Sequence, residues 1–418
     1  MRKWKYVAAV LMAGLLCACS AGNTATENTS VKGGEIAAAE TEADGASDMG
    51  ADGTSDNNTD GVSDTGTGES VQAEGMLWAV KPLEERTSLT MSYLANSTPA
   101  LTTYIADRLG WLDACNLEVE MVYFAGGPAQ MEGSGSWEVG TTGIGGVITG
   151  IINYDIEVLG IAAQDRGLFQ AFFARKDSPI VQDGQGYGEF AEVYGKPESW
   201  KGKDILTAVG TTNQYALYRV LKSLGLSLED VNIINMDIAA ATTAFLAGEG
   251  DVAGVQGTMI FDEEYQKEDS DYVMVASDQI VQSGLDVNYV ATQKALETKP
   301  EAVETWLELA MMAGEWANAN PDEAAEMITD LYAEDGYDTD LEANKKTLVE
   351  NPFTSLADNY QYFTEKIEDG SRTIAEDNTF QAMEGYIEMG NYSQEQSDAL
   401  FAAGNYNSSL IENIYGRQ

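Results

Sequence analysis

The chain has 418 residues, and 68 acidic side chains against 23 basic ones give it a formal charge of −45. That balance excludes nucleic acid as a partner, because nothing here could neutralise a run of phosphates, and it disfavours a polybasic membrane-surface role. There is no histidine, which removes the commonest general base and metal ligand from consideration.

Arg2, Lys3 and Lys5 precede an apolar run to Leu16, and LMAGLLCACS (11–20) closes it with small residues and cysteine. Residues 1–18 are therefore predicted to be a secretory signal, too short for an ordinary membrane span. The end of this run resembles a bacterial lipobox, in which a large aliphatic residue stands three places before the cysteine. Leu16 holds that place for Cys19, whereas it directly precedes Cys17. Cys19 is expected to be lipidated and to become the first residue of the mature chain; the alternative is an ordinary cleaved signal. With Cys19 lipidated, Cys115 has no disulfide partner within one chain, and in WLDACNLEVE it reads as a packed small hydrophobe.

Residues 19–75 are Gly, Ser, Thr, Asp and Glu with almost no large apolar side chain. Such a segment cannot bury enough surface to offset chain entropy, so it reads as a disordered acidic tether from a lipid anchor. The expected location is the extracytoplasmic face of a cell membrane, a Gram-positive surface being favoured. About 340 residues remain, enough for two lobes with separate cores.

From about residue 86 the chain alternates short apolar runs with helical patterns. SLTMSYLA (88–95), the strictly alternating LEVEMVYF (117–124) and IEVLGIAA (156–163) read as strands. TTYIADRLGWLDA (102–114) reads as a helix, and VGTTGIGG (139–146) as a Gly-rich strand end leading into another, VITGIINY. After Trp200 the order repeats: strands at 204–209, 231–236, 251–256 and 272–277, with helices at 212–225 and 239–248. VNYVAT (287–292) reads as a strand returning to the first lobe, and 300–333 as helical with Val303, Trp306, Leu307, Ala310, Met311 and Gly314 on one stripe. Strands alternating with helices imply βαβ units and parallel sheets.

Two stretches carry a family likeness: TYIADRLGWLDACNLEVEMVYFAGGPAQMEGSGSWEVGTTGIGG (103–146) and WKGKDILTAVGTTNQYALYRVLKSLGLSLEDVNIINMDIAAATTAFLAGEGDVAGV (200–255). Together they resemble the solute-binding proteins of ABC importers for nitrate, sulfonates, taurine and thiamine-precursor pyrimidines. In that family a helix leads through G-hydrophobic-hydrophobic to L-x-V-E and G-G, and later to L-x-G-x-x-D-x-G or A. The likeness spans most of 88–292 and implies an α/β, two-lobed type II periplasmic-binding fold with two interlobe crossings and extra C-terminal helices. On that frame 86–175 is the first part of lobe 1, 176–287 is lobe 2, and 288–418 returns to lobe 1 and adds the helices. Hinge motion is expected at crossings near 171–178 and 286–291.

The implied function is extracytoplasmic capture of one small polar solute and its delivery to an ABC permease, by a lipid-anchored monomer without enzymatic activity. In open α/β sheets, ligands sit beyond the carboxyl ends of strands, near helix N-termini. The candidate ligand-binding residues are therefore Asn96, Ser97, Thr98, Gly143, Ile144, Gly145, Gln164, Asp165, Thr211, Thr212, Asn213, Asp237, Gln256 and Thr258. Each of Thr211, Thr212 and Asn213 is equally a plausible N-cap, Asp237 a cap of the following helix, and Asp165 a partner of Arg166 or Arg175. Many family members carry an aromatic where Gln256 stands. Nitrate or a sulfonate would favour cationic or N–H-rich loops, whereas Asp165 and Asp237 opposite helix N-termini suggest a solute with a positive end. The solute class thus stays open between a sulfonate, a nitrate-like anion, a pyrimidine and an amine or zwitterion. Tyr93, Phe124, Trp137 and Tyr215 lie near the same loops, either stacking on a flat ligand or packing in rim and core.

GIGGVI (143–148) and GEGDVAG (248–254) place Ile148 and Ala253 where a dinucleotide loop needs its third glycine. A serine hydrolase lacks its G-x-S-x-G elbow and its histidine. A fungal-type pyrimidine-precursor synthase shares the implied fold but consumes one of its own histidines, and this chain has none. A sensory or adhesive lipoprotein on the same fold remains an alternative.

Overall fold

A computed structural model describes residues 70–94, 97–164, 167–283 and 285–418. The predicted signal, Cys19 and nearly all of the predicted tether lie outside the described residues. The folded body begins before residue 76. Val71 and Val80 exchange both backbone hydrogen bonds, at 2.7 and 2.8 Å, and Met76 and Val80 join the core. Trp111 donates its indole N–H to the Glu74 carbonyl at 3.0 Å. Isolated apolar residues in a polar stretch suffice to dock it, a signal that composition averages away.

Among the described residues, ten strands form two five-stranded sheets. The first contains β1 (Thr87–Leu94), β2 (Leu117–Phe124), β3 (Val139–Gly143), β4 (Ile156–Gln164) and β10 (Asp286–Thr292), in the order β2-β1-β3-β10-β4. The second contains β5 (Gln170–Arg175), β6 (Asp204–Thr207), β7 (Asn232–Asn235), β8 (Val252–Gln256) and β9 (Tyr272–Ser277), in the order β7-β6-β8-β5-β9. β10 runs antiparallel to β3 and β4, and β5 antiparallel to β8 and β9. The other pairs are parallel. Each antiparallel strand is the one formed immediately after the chain passes from one sheet to the other.

Those passages therefore lie before β5 and before β10, each a few residues earlier than the sequence expectation. The expected boundary at 175 places the run QAFFAR with the first lobe, whereas it forms a strand that pairs inside the second sheet. Phe172 and Ala174 enter the core on one face of that sheet, Ala171 and Phe173 the core on the other. A short run buried on both faces has no polar alternation to announce itself.

Helices follow the carboxyl ends of the strands. In the first lobe these are α1 (Leu101–Arg108), α2 (Gly127–Glu132) and α3 (Ile144–Asn153); in the second, α4 (Thr212–Ser223) and α5 (Ile238–Leu246). The helix expected over 102–114 breaks at Gly110, whose φ of 75° is left-handed. The helical stretch 300–333 divides into α6 (Pro300–Ala319) and α7 (Pro321–Glu334), because Pro321 offers no N–H and disfavours helical geometry at Asn320. The predicted stripe of α6 is buried from Val303 to Gly314, and Trp306 donates to Thr103 Oγ1 at 3.0 Å. Glu308, also buried, receives Trp78 Nε1 at 3.2 Å and pairs with Arg417 at 2.6 Å.

Two later helices, α8 (Leu341–Glu350) and α9 (Ile374–Glu388), bridge the lobes. Ala343 of α8 joins the core on the second sheet, and Lys346 lies over the Phe261 ring at 4.6 Å. Gly385 of α9 faces Tyr215 of α4, where a Cβ would fall 2.4 Å from the ring. No described helix is long and apolar enough to cross a membrane.

Candidate binding cleft

Four helices begin at one crevice between the sheets: α2 after β2, α3 after β3, α4 after β6 and α5 after β7. Their first residues line a cavity of about 210 Å³ together with Leu94, Phe169, Met259, Val287 and Tyr337. The N-cap residues Gly126, Gly143 and Thr211 give α2, α3 and α4 no side-chain acceptor. The positive ends of three helix dipoles thus meet the crevice without a side-chain cap. The fourth helix differs: Asp237 accepts the Ala240 N–H at 2.9 Å and caps α5.

Glycines let the walls approach. A Cβ on Gly146 would fall 2.1 Å from Thr142 Oγ1, and one on Gly145 would fall 3.0 Å from the Gly210 carbonyl across the crevice. A Cβ on Gly143 would fall 3.3 Å from Thr212 Cγ2. The two lobes are thus in near contact over the cavity. Beneath them Thr142 is fully buried, and its hydroxyl has no hydrogen-bond partner among the described residues. An unpaired buried hydroxyl costs free energy unless a guest completes it.

Asn213 does not reach the cavity. It is fully buried, donates to Gln170 Oε1 at 2.9 Å and accepts from Thr207 Oγ1 at 2.6 Å. Gln170 in turn donates to Thr212 Oγ1 at 3.0 Å, so this amide pair fixes the floor under Thr212. Thr211 donates to the Ala208 carbonyl at 2.7 Å, which leaves its oxygen free to accept.

The predicted residues divide clearly. Ser97, Gly143, Gly145, Thr211, Thr212, Asp237 and Gln256 line the cleft. Thr98, Ile144 and Thr258 are buried in the surrounding structure, while Gln164 accepts from Tyr362 at 3.2 Å and faces a different cavity. Asn96 and Asp165 lie outside the described residues. Of the four aromatics weighed for stacking, Tyr93, Phe124, Trp137 and Tyr215 are all buried and none lines the cleft. Phe169 and Tyr337 supply its aromatic walls instead. Thr142, the Gly126–Gly127 pair and Gly146 were also missed as site residues. Their signal was present in the two glycine-rich strand ends that precede α2 and α3.

Only one carboxylate, Asp237, and no Lys or Arg appear among the described residues of the lining. Nearby, Asp335 accepts the Tyr93 hydroxyl at 2.6 Å, and burial raises its pKa to about 6. It begins the loop that carries Tyr337 into the cleft. Cys115 is fully buried, and desolvation pushes its thiol up to about 12.

The family model described as NMT1/THI5 like matches residues 97–324, more than half of the chain. The chain belongs to the NMT1/THI5-like family. Every cleft residue except Leu94 and Tyr337 falls within the part that matches this family. A Brachyspira hyodysenteriae protein named as an ABC transporter periplasmic binding protein is 25% identical over 244 residues, 57% of this chain and 68% of the relative. Among solved structures, the alkanesulfonate-binding protein SsuA of Xanthomonas axonopodis pv. citri, bound to MOPS, superposes with a TM-score of 0.57 at 13% identity. That match covers 77% of this chain and 99% of the other. The periplasmic nitrate-binding protein NrtA of Synechocystis PCC 6803 gives 0.61 at 11% identity, over 80% of this chain and 89% of its own. The NMT1/THI5-like chain therefore has the α/β fold of the type II periplasmic binding proteins, and these relatives are named as binding proteins rather than enzymes.

Proposed function

We propose that this protein is the extracytoplasmic solute-binding component of an ABC importer, and that its cleft closes over one small solute carrying an anionic group. The buried Thr142 hydroxyl, without a partner among the described residues, carries the reading, because it lies between glycine-flanked helix starts that no N-cap side chain covers. Hydrogen bonds from such groups suit sulfonate, carboxylate or nitrate oxygens. The solute with a positive end, suggested by Asp237, loses its main support because that carboxylate already caps α5. The names of the relatives, which include sulfonate and nitrate binders, agree with an anion.

Lobe 1 then comprises the first sheet with the C-terminal helices and lobe 2 the second sheet, hinged at the two passages. Lipidation at Cys19 and a Gram-positive surface rest on the lipobox-like LLCACS and the acidic stretch behind it. The permease, as recipient, completes the scheme, and the cycle contains no bond-making step.

Calorimetric titration with alkanesulfonates, nitrate, pyrimidines and polyamines at fixed ionic strength tests this reading. Saturable binding of an anion is expected, weakened about 10- to 100-fold in Thr142→Val, the loss of a hydrogen bond to a charged group. Saturation by a polyamine alone, or by none of the panel, would overturn it, and the second result would favour a sensory or adhesive role.

A further inference from the structure

A second cavity, of about 340 Å³, lies along the seam between α4 and α9 and shares no lining residue with the cleft. Tyr386 separates the two: its hydroxyl sits near Gly145 and the Thr211 carbonyl on the cleft side, while its ring packs 5.5 Å from that of Tyr215, which lines the second cavity. Both lobes contribute walls. α4 brings Arg219 and Lys222, and α9 brings Glu384 and Glu388.

The charges in this cavity are not all satisfied internally. Lys222 pairs with Glu388, which also accepts from Tyr218. Arg219 is half-buried, and its one hydrogen bond among the described residues goes to the Val281 carbonyl at 3.2 Å; it makes no ion pair among them, and Glu388, already paired with Lys222, acts on it only at longer range. Ser283, on the same wall, is 6% exposed and its hydroxyl has no partner among the described residues. A guanidinium fork beside an unpaired hydroxyl matches a carboxylate. Across the cavity, Glu384 makes no ion pair among the described residues and offers a negative group to an ammonium.

We propose that this seam is a second binding site, for a small zwitterion of the α-amino-acid class, with its carboxylate on Arg219 and Ser283 and its ammonium toward Glu384. A guest here touches both lobes, so it favours the arrangement in which α4 and α9 lie together. Binding in the seam and in the cleft is therefore coupled, and reciprocally so.

Titration of the chain with glycine, L-alanine and L-glutamine, each beside its N-acetyl and its amide derivative, tests the site. At least one free amino acid is expected to bind saturably and to lose about tenfold or more in affinity when either charge is blocked. Arg219→Gln and Ser283→Ala should each weaken it, whereas Thr142→Val should leave it unchanged. Arg219→Gln should also retain cleft binding of an anion, which shows that the variant is folded. Absence of binding up to about 10 mM, the weak end of measurable affinity, would overturn the proposal. So would binding indifferent to both seam variants, or binding lost in Thr142→Val, which would place the amino acid in the cleft.

Discussion

Asp278 stands on the passage before β10 and Gln170 opens β5 at the end of the other passage, and the Asp278 carboxylate accepts the Gln170 backbone N–H at 2.8 Å. Phe169 and Gln279 also donate their backbone N–H groups to it, so one buried side chain ties the start of β5 to the segment that follows β9. Gln170 then passes the order on through Asn213 and Thr212 to the cleft. Burial raises Asp278 to about 7 against the opposing pull of these backbone donors.

That shift has a definite sign for stability. Between the ordinary value of 3.8 and about 7, the folded state binds more protons than the unfolded chain, so this group favours folding increasingly as pH falls from 7 toward 4. Asp335, raised to about 6, acts in the same direction. Asp278→Asn should be less stable at every pH, because its amide turns a donor toward a backbone N–H, but its melting temperature should depend less on pH. Melting curves between about pH 5 and 8 measure the difference in slope; parallel profiles for the two proteins would refute the assignment.

Thr142 and Gly146 form a testable pair. A Cβ at position 146 would overlap Thr142 Oγ1 at 2.1 Å, so Gly146→Ala should cost about 1–3 kcal/mol of stability, as overpacking does. Thr142→Ala removes the obstructing hydroxyl, and the double variant should recover most of that loss. A denaturant-based double-mutant cycle reads the coupling. Strict additivity would mean that α3 shifts as a unit and that the close approach of Gly146 to Thr142 is incidental.

What was legible in the sequence follows from periodicity. β2 alternates strictly and appears at its predicted bounds, and β10 forms a strand over nearly the range its apolar run predicts, because both runs carry local patterns. β5 was invisible because QAFFAR is buried on both faces. Asp237 and Asn213 show the harder limit: the same residue types at helix starts serve as ligand, cap or internal brace, and only the surrounding partners decide. Tyr337 reaches the cleft from beyond α7, a placement set by tertiary packing that no local window contains. The Thr142 hydroxyl is distinguished only by its burial without a partner among the described residues, which no sequence pattern announces.

Cys115 should behave as a reporter of global unfolding. It is fully buried, and its thiol is pushed up to about 12 by desolvation and by the nearby Glu308 carboxylate. Native protein should resist iodoacetamide at this residue at neutral pH, and labelling should rise in step with loss of secondary structure in denaturant. Peptide-resolved mass spectrometry isolates the Cys115 signal. Rapid labelling without unfolding would reveal local opening of the segment between Ala114 and β2, and would contradict the rigid packing described for it.

The seam between the lobes contains two kinds of contact, and magnitudes rank them. The Lys222–Glu388 pair is about half exposed, with side chains 49% and 55% accessible, so water screens it and Lys222→Met with Glu388→Gln should change stability by less than about 1 kcal/mol. Tyr386 is almost fully buried between Tyr215 and Tyr392, at ring separations of 5.5 and 6.1 Å. Its replacement by Ala opens a cavity at the centre of the seam and should cost about 3–5 kcal/mol. Because Tyr386 also abuts Gly145 and Thr211, Tyr386→Ala should weaken anion binding in the cleft, whereas the charge-neutral pair should leave it intact. Chemical denaturation and titration of both variants give the ranking. A larger loss from the ion-pair variant would show that charge, rather than aromatic packing, holds α9 against the second lobe.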